Sequence, residues 1–215
     1  YTPESSYWAG FILADGHIEN YMGYGRNLPN YKLRIGLSLK DKNHLKKLAK
    51  FLGDENIQIK DKTVEVFNGT YYTSEIRISR KSICKDLIDV YEIPLTDKST
   101  NEFISNKIPQ ECLPHFIRGY FDGDGSIHNK IKGQDSPGIA IVGSLEICKQ
   151  LKDYFEYGYI YKESNNLYKY AIHSKQNILD FYNKLYKNSK ENIRLDRKYE
   201  KFKTFSYKDK RYKCS

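Results

Sequence analysis

Two stretches of the chain combine small and apolar residues at helical spacing with a final Asp-Gly pair. They are residues 8–16 (WAGFILADG) and residues 117–125 (IRGYFDGDG). In both, small residues stand at the third and seventh positions, and residues four apart lie on the same face of a helix. The pattern therefore predicts two helices, each with a stripe of small residues on one face and a carboxylate at its C-terminal end.

After each of these helices the pattern changes to strands. Residues 31–39 carry apolar side chains at odd positions and polar or small ones at even positions, which predicts a half-buried strand. The counterpart, residues 138–142, is apolar throughout. A short alternating segment and a polar loop, at residues 20–30 and 132–137, precede these strands. The two halves of the chain thus begin in the same order.

Each half continues with a helix, two further strands and a third helix. Apolar residues recur at three- and four-residue spacing after Asp41 and after Ser144, and both residues are favoured N-caps. The other strands are predicted near 56–66, 71–79, 157–163 and 167–173. The third helices are predicted over 80–91 and 175–187, with Ser79 and Ser174 as N-caps, and the tail after Asp196 is predicted to be helical and then basic.

This repeated order predicts an α+β fold class. It consists of two pseudo-symmetric αββαββα repeats, each an antiparallel sheet backed by helices. Small side chains let two helix backbones approach closely, so the repeats are expected to pack through the two motif helices. We assign residues 1–92 to the first repeat, residues 93–110 to a linker, and residues 111–215 to the second repeat with its basic C-terminal tail.

Composition narrows the class of partner. The 215 residues include 36 lysines and arginines against 27 acidic residues, a net charge of +9, which favours a polyanion. The four cysteines lie far apart without zinc-ligand spacing, so we expect reduced thiols in an intracellular protein, in the cytoplasm of a bacterium or phage host or in an organelle. No apolar run approaches the roughly 20 residues that span a bilayer. Because the first residue is Tyr1, an upstream targeting segment stays an open alternative.

The two Asp-Gly stretches resemble the LAGLIDADG motif of homing endonucleases, and two copies in one chain are similar to the monomeric, two-repeat branch of that family. Asp15 and Asp124 follow the small-residue stripes, at the negatively polarised C-terminal ends of the helices. Two carboxylates about 4 Å apart repel by roughly 4 kcal/mol at an effective dielectric constant near 20, unless cations lie between them. The simpler alternative is that each Asp-Gly pair only ends its helix, with glycine as a left-handed cap.

The resemblance implies a divalent-metal site. Mg²⁺ prefers hard oxygen ligands, and Ca²⁺ or Mn²⁺ is expected to replace it in binding. Asp122, at the sixth motif position, is given no metal role and is expected to form hydrogen bonds near the contact between the helices. By the family pattern the metal ligands are the carboxylates of Asp15 and Asp124 and the main-chain carbonyls of Ala14 and Gly123.

The resemblance also implies a basic residue near each catalytic carboxylate, toward the C-terminal end of each repeat. Lys98 and Lys198 are the candidates for polarising water or stabilising charge, and Arg197 is the nearest rival to Lys198. Together with Asp15 and Asp124 they form the predicted catalytic set. Lysines are frequent along this chain, so an ordinary surface lysine is the alternative for each.

The face of each sheet that is not covered by helices is predicted to bind DNA. Side chains alternate between the two faces of a strand, so one parity is free to contact base edges or phosphates. A solvated polar face is the simpler alternative. In the first repeat the predicted DNA-binding residues are His17, Glu19, Lys32, Arg34, Ser38, Lys60, Lys62, Thr73, Glu75, Arg77 and Ser79. In the second they are Ser126, His128, Lys130, Lys169 and His173, and in the flanking loops Arg26, Lys132 and Gln134.

The resemblance implies a site-specific, magnesium-dependent endonuclease that cuts both strands of a long DNA target across the minor groove. Because the two halves differ in sequence, the target is expected to be asymmetric, and the resemblance to the two-repeat branch implies a monomer. A terminal His-Asn splicing signature is absent from the sequence, which favours an intron-encoded or free-standing protein over an intein. The alternatives are an RNA maturase that assists intron splicing, or a non-cleaving DNA-binding protein of the same fold.

Overall fold

The structure is a computed structural model that describes residues 1–22, 29–67, 69–95, 101–128 and 137–207, without the side chains of 22, 29, 66 and 204–207. Each half of the chain follows the predicted order. The first contains α1 (Pro3–Asp15), β1 (Gly16–Met22), β2 (Pro29–Ser38), a 3-10 turn (Leu39–Asp41), α2 (Lys42–Phe51), β3 (Ile59–Val66), β4 (Gly69–Ile78) and α3 (Lys81–Asp89).

The second half repeats this order and adds a final helix. It contains α4 (Leu113–Asp124), β5 (Gly125–His128), β6 (Gly138–Gly143), α5 (Leu145–Phe155), β7 (Tyr159–Lys162), β8 (Tyr168–Ile172), α6 (Lys175–Leu185), a 3-10 turn (Glu191–Ile193) and α7 (Asp196–Tyr207). All strands pair antiparallel, in two four-stranded sheets of order β1-β2-β4-β3 and β5-β6-β8-β7. The α+β class and the two αββαββα repeats are confirmed.

Helix starts differ in part from the prediction. The hydroxyls of Ser144 and Ser174 accept hydrogen bonds from the first turns of α5 and α6, as N-caps do. Ser79 is not a cap, because α3 begins after Arg80, and no side chain caps it. Asp41 stands at the N-cap of α2 without a side-chain bond, since a 3-10 turn leads directly into this helix. Strand β1 also runs on to residue 22, where a loop was predicted from residue 20.

The chain divides into two compact units that cut across the order of the sequence. One contains Tyr1–Ala14 and Thr96–Ser215, and the other contains Asp15–Leu95. The repeat boundaries predicted at residues 92 and 111 stay a prediction. Over the ranges given above, the helices lack the length and apolar character needed to cross a membrane.

The smaller unit has one core between its sheet and its helices. Leu33 and Ile35 of β2 and Ile76 of β4 are fully buried, together with Leu45 of α2 and Cys84 of α3. Leu33 and Ile35 are odd-numbered positions, which the alternating pattern of residues 31–39 assigned to the side covered by helices, and Ile76 pairs with Ile35. The opposite parity is therefore left on the open face of the sheet.

In the larger unit, the motif helices α1 and α4 touch through glycines. A Cβ added at Gly10 would lie 2.0 Å from the carbonyl oxygen of Phe116, and one at Gly119 would lie 1.9 Å from the carbonyl oxygen of Tyr7. No real Cβ can approach a backbone atom so closely. The small residues at the third motif position thus let the two helices pack backbone against backbone, as their spacing predicted.

Replacing Gly10 by alanine is expected to lower the free energy of unfolding by about 1–3 kcal/mol, because the helices must separate to admit the methyl group. Gly36→Ala is the matched control, since nothing lies within 4 Å of a Cβ added there. Urea unfolding of the two variants measures the difference. Equal stability of both variants would contradict the glycine contact.

Candidate functional site

The two motif carboxylates end their helices. Asp15 is the last residue of α1 and Asp124 the last of α4; both are half-buried, and a strand begins at the next residue in each case. Asp15 belongs to the smaller compact unit and Asp124 to the larger. Their convergence stays a prediction.

The glycine that follows Asp124 is not the left-handed cap of the simpler alternative. Gly125 has φ −83° and ψ 154°, an extended conformation. A Cβ at this position would lie 2.1 Å from the ring of Phe121 and 2.4 Å from its carbonyl oxygen. Gly16 is likewise outside the left-handed region. After Asp124 glycine is needed for space, because the strand leaves the helix end tightly against an aromatic ring.

Asp122 forms the hydrogen bonds that were predicted near the helix contact. It is 2% exposed, and its carboxylate accepts hydrogen bonds from the Tyr7 hydroxyl at 2.7 Å, the Leu195 amide at 2.7 Å and the Tyr186 hydroxyl. Tyr7 lies on α1, so this carboxylate links the two motif helices. Burial raises the pKa of Asp122, and Lys198 and the hydrogen-bond donors act in the opposite direction.

Arg118 lies one turn before Asp122 on the same helix and also contacts Tyr7. Its guanidinium is buried and donates to the carbonyl oxygens of Ile193 at 2.9 Å and Leu185 at 2.7 Å. It also lies 5.3 Å from the centroid of the Tyr7 ring. Burial lowers the pKa of Arg118. The role of this residue is structural, since it ties α4 to the segments around α6 and α7.

Lys198 reaches the C-terminal end of α4 from α7. It is 4% exposed, and its ammonium donates to the carbonyl oxygens of Phe121 at 2.5 Å, Asp122 at 2.7 Å and Gly123 at 3.2 Å. A cation at this place offsets the partial negative charge of the helix end, directly before Asp124. Arg197, its sequence rival, is exposed. Lys98 lies outside the described residues.

The oxygen donors at each motif end suit a hard divalent cation. Asp124 offers a carboxylate beside the Gly123 carbonyl, whose bond to Lys198 is the longest of the three. Asp15 and the Ala14 carbonyl form the corresponding set on α1. Magnesium prefers such ligands. The described ranges contain no group of three or more His, Cys, Asp or Glu side chains that could hold a metal ion. Any such site therefore relies on carbonyl oxygens, water or substrate as well.

The first sheet presents its predicted polar residues on one open face. His17 lies opposite Arg34 and Lys60 opposite Glu75, whereas Ile18 and Leu33 form the buried parity. Ser79 lies beyond the end of β4, outside the sheet. The predicted residues that share this face are His17, Glu19, Lys32, Arg34, Ser38, Lys60, Lys62, Thr73, Glu75 and Arg77.

Cations and carboxylates alternate on this first open face. Arg34 lies 3.7 Å from Glu19, and Glu75 accepts from Lys62 at 2.8 Å and from Arg77 at 2.5 Å. Partial desolvation raises the pKa of Glu75, but Lys62 and Arg77 outweigh it, so the net shift is downward. Arg34 and Arg77 stand directly opposite each other across the ladder. Glu19 beside Arg34 and Glu75 beside Arg77 offset the repulsion between these two like charges.

The open face of the second sheet has different chemistry. Ser126, His128 and Lys169 have the predicted parity, and His173 follows the last residue of β8 with its ring beside those of Tyr159 and Tyr161. Tyr159 and Tyr161 on β7 share this face, and the sequence analysis missed them because the register of this strand was not fixed by alternation. The two tyrosines at alternate positions of β7 were the sequence signal that both side chains lie on one face. Arg26, Lys130, Lys132 and Gln134 lie outside the described residues.

Comparison with known proteins gives a family match within the second half of the chain. Residues 111–186 match the model of the LAGLIDADG-like domain. No curated protein matches the chain. Among solved structures, the I-SmaMI LAGLIDADG homing endonuclease bound to cleaved DNA is 16% identical, with a TM-score of 0.61 over 96% of this chain and 88% of that one.

Two further structures have the same fold. I-SmaMI bound to uncleaved DNA with calcium ions is 17% identical, with a TM-score of 0.59 over 98% of this chain and 93% of that one. The LAGLIDADG meganuclease I-AabMI bound to uncleaved DNA is 15% identical, with a TM-score of 0.57 over 97% of this chain and 92% of that one. At this level of identity the similarity establishes the fold.

Proposed function

Because residues 111–186 match the model of the LAGLIDADG-like domain and the chain has the fold of two-repeat LAGLIDADG structures, we propose that this protein is a site-specific DNA endonuclease that depends on divalent metal ions. The observation that carries the proposal is the repeated motif itself: an Asp ends each of two helices that contact each other through Gly10 and Gly119. The structural neighbours described above are DNA complexes of homing endonucleases. The proposed reaction is hydrolysis of one phosphodiester in each strand of an asymmetric target.

In this proposal Asp15, Asp124 and the carbonyls of Ala14 and Gly123 hold the cations, with Mg²⁺ as the physiological ion. Bound divalent cations lower the pKa of an attacking water and stabilise charge on the phosphate. Lys198 acts as a positioning residue, because its ammonium neutralises the helix end that carries Asp124. Asp122 fixes the same helix against α1 through Tyr7.

The proposed DNA contacts lie on the open faces of the two sheets. On the first, Lys32, Arg34 and Arg77 are surrounded by polar side chains that can contact base edges or phosphates. The net charge of +9 favours an anionic partner. We also propose an intracellular location, since genomic DNA is the substrate.

A cleavage selection tests this function. The full chain is incubated with Mg²⁺ and a plasmid library that carries randomised inserts, and linearised molecules are sequenced. We expect one enriched, asymmetric site and no cleavage in EDTA. Absence of any cleaved site, together with stimulated splicing of an intron RNA, would favour the maturase alternative. Specific binding without cleavage would favour a DNA-binding protein.

Arg34→Ala is expected to cost about 1–3 kcal/mol of binding free energy at the selected site and to relax specificity at the base pairs next to Arg34, if the guanidinium binds a guanine edge. The measurement is binding to the selected site and to single-base variants of it. Lys152→Ala, an exposed change on α5, is the control. Equal loss of affinity for all sequences would show that Arg34 contacts only phosphate.

Binding is expected to weaken steeply with salt, since the slope of log K against log salt concentration is about −0.9 for each phosphate neutralised. Lys60→Ala should make this slope less negative by about one, and Lys152→Ala should leave it unchanged. Titrations at several salt concentrations measure both. A flat salt dependence of the unmodified protein would contradict phosphate binding by these faces.

A further inference from the structure

The open face of the second sheet has small side chains on its central strands and aromatic side chains on one edge strand. Ala140 of β6 pairs with Ala171 of β8, and Ala171 pairs in turn with Tyr159 of β7. Val142 and Lys169 pair on the same face, and Lys169 pairs with Tyr161. We call this surface the aromatic face; its residues are Ser126, His128, Ala140, Val142, Tyr159, Tyr161, Lys169, Ala171 and His173.

The tyrosines of the aromatic face are open to solvent, although they contact one another and a histidine. Tyr159 is 61% exposed and Tyr161 is 44% exposed. Their ring centroids lie 6.4 Å apart, and the ring of His173 lies 6.1 Å from Tyr159 and 6.4 Å from Tyr161. A cluster of exposed rings on a sheet face indicates a contact surface.

Positive charge is scarce on this face. Lys169 is the one lysine or arginine that the described part of the four strands places there. It is ion-paired with Glu163, and its ammonium lies 5.6 Å from the centroid of the Tyr161 ring. The first sheet, by contrast, presents Lys32, Arg34, Lys60, Lys62 and Arg77 on its open face. The aromatic face must therefore bind mainly through apolar and aromatic contacts.

Among the four bases of DNA, only thymine presents a methyl group on its major-groove edge. In the major groove thymine carries a C5 methyl group, and alanine and aromatic side chains contact it, whereas guanine is read by arginine or lysine. Ala140 and Ala171 are 8% and 1% exposed, so the standing rings of Tyr159 and Tyr161 form the accessible apolar surface of this face. We propose that the aromatic face reads thymine methyl groups in one half of the DNA target. This inference rests on the proposed endonuclease function and names the base class that one half-site contains.

The test compares two randomised DNA libraries that differ only in this methyl group. One is synthesised with thymidine and the other with deoxyuridine, which keeps the hydrogen-bonding edge of thymine and lacks the methyl. Both are cleaved by the full chain with Mg²⁺, and the cleaved sites are sequenced. We expect thymine enrichment in one half-site that disappears in the deoxyuridine library. Binding to the selected site should weaken about fourfold for each thymine replaced in that half.

Variants assign the effect to the aromatic face. Tyr159→Ala and Tyr161→Ala should abolish the thymine preference at neighbouring positions in the same half-site, and Tyr161→Phe should retain it. Lys152→Ala, an exposed change on α5, should leave this preference intact. Both tyrosines are exposed, and thermal unfolding checks that the variants stay folded.

Each outcome has one meaning. Cleaved sites that are the same in both libraries would overturn the methyl-reading inference and leave the endonuclease proposal standing. Loss of thymine preference that does not respond to Tyr159→Ala and Tyr161→Ala would also overturn it. Absence of any enriched site in both libraries would overturn the proposed function, and the inference with it.

Discussion

Asp124→Asn is expected to reduce DNA cleavage by about 100-fold or more while DNA binding is retained. The amide keeps the size of the side chain and removes the negative charge that attracts a divalent cation, and loss of metal-ion stabilisation worth several kcal/mol corresponds to a factor of this order. Asp15→Asn is expected to do the same. Single-turnover cleavage in Mg²⁺ and gel-shift binding in Ca²⁺ measure the two properties separately.

The matched control is Asp153→Asn, an exposed carboxylate-to-amide change on α5. It should cleave as fast as the unmodified protein. If Asp124→Asn cleaved DNA at the normal rate, the carboxylate at the end of α4 would only end the helix, and the metal site would have to lie elsewhere. If it lost binding and cleavage together, Asp124 would support the fold rather than the chemistry.

Asp122→Ala is expected to lower the free energy of unfolding by about 3–5 kcal/mol, the range for a broken buried charge network. The change removes the shared acceptor of the Tyr7 and Tyr186 hydroxyls and the Leu195 amide. It also removes an anion near the buried cations Arg118 and Lys198. Urea unfolding measures the loss, with Asp153→Ala as the exposed control. A loss no larger than that of the control would contradict the network.

The Asp122 carboxyl also predicts a pH dependence. Burial raises its pKa in the folded protein above the value of about 4 expected in the unfolded chain. The folded state then binds more protons than the unfolded state between these two values, so stability falls as pH rises through this window. The stability of the unmodified protein should therefore decline relative to that of Asp122→Asn from pH 4 upward. The opposite slope would show that Lys198 and the hydrogen-bond donors dominate.

The order of elements could be predicted because it depends on local patterns. Alternation over residues 31–39 set the parity of the first sheet, and the register of β1, β2 and β4 follows it. The glycine spacing of the motifs predicted a close helix contact, which Gly10 and Gly119 form. The role of Asp122 could be distinguished from that of Asp124 because Asp122 stands at the sixth motif position, where the family has no metal ligand.

Features that depend on tertiary contacts were beyond such patterns. Only the family resemblance singled out Lys198 among many lysines, and its local sequence does not indicate that its ammonium caps a helix more than seventy residues away. The register of β7 was not set by alternation, so Tyr159 and Tyr161 could not be assigned to a face. Ser79 has the right chemistry for a cap, but the helix begins one residue later than that role requires.

The membership of α1 in the larger compact unit has a consequence for biosynthesis. Residues 1–14 group with residues 96–215, and Tyr7 meets a partner 115 positions later in the chain. During synthesis this apolar helix is therefore made well before the residues that cover it. Nascent chains that end near residue 95 would leave the helix uncovered, so they should be the ones most dependent on chaperones.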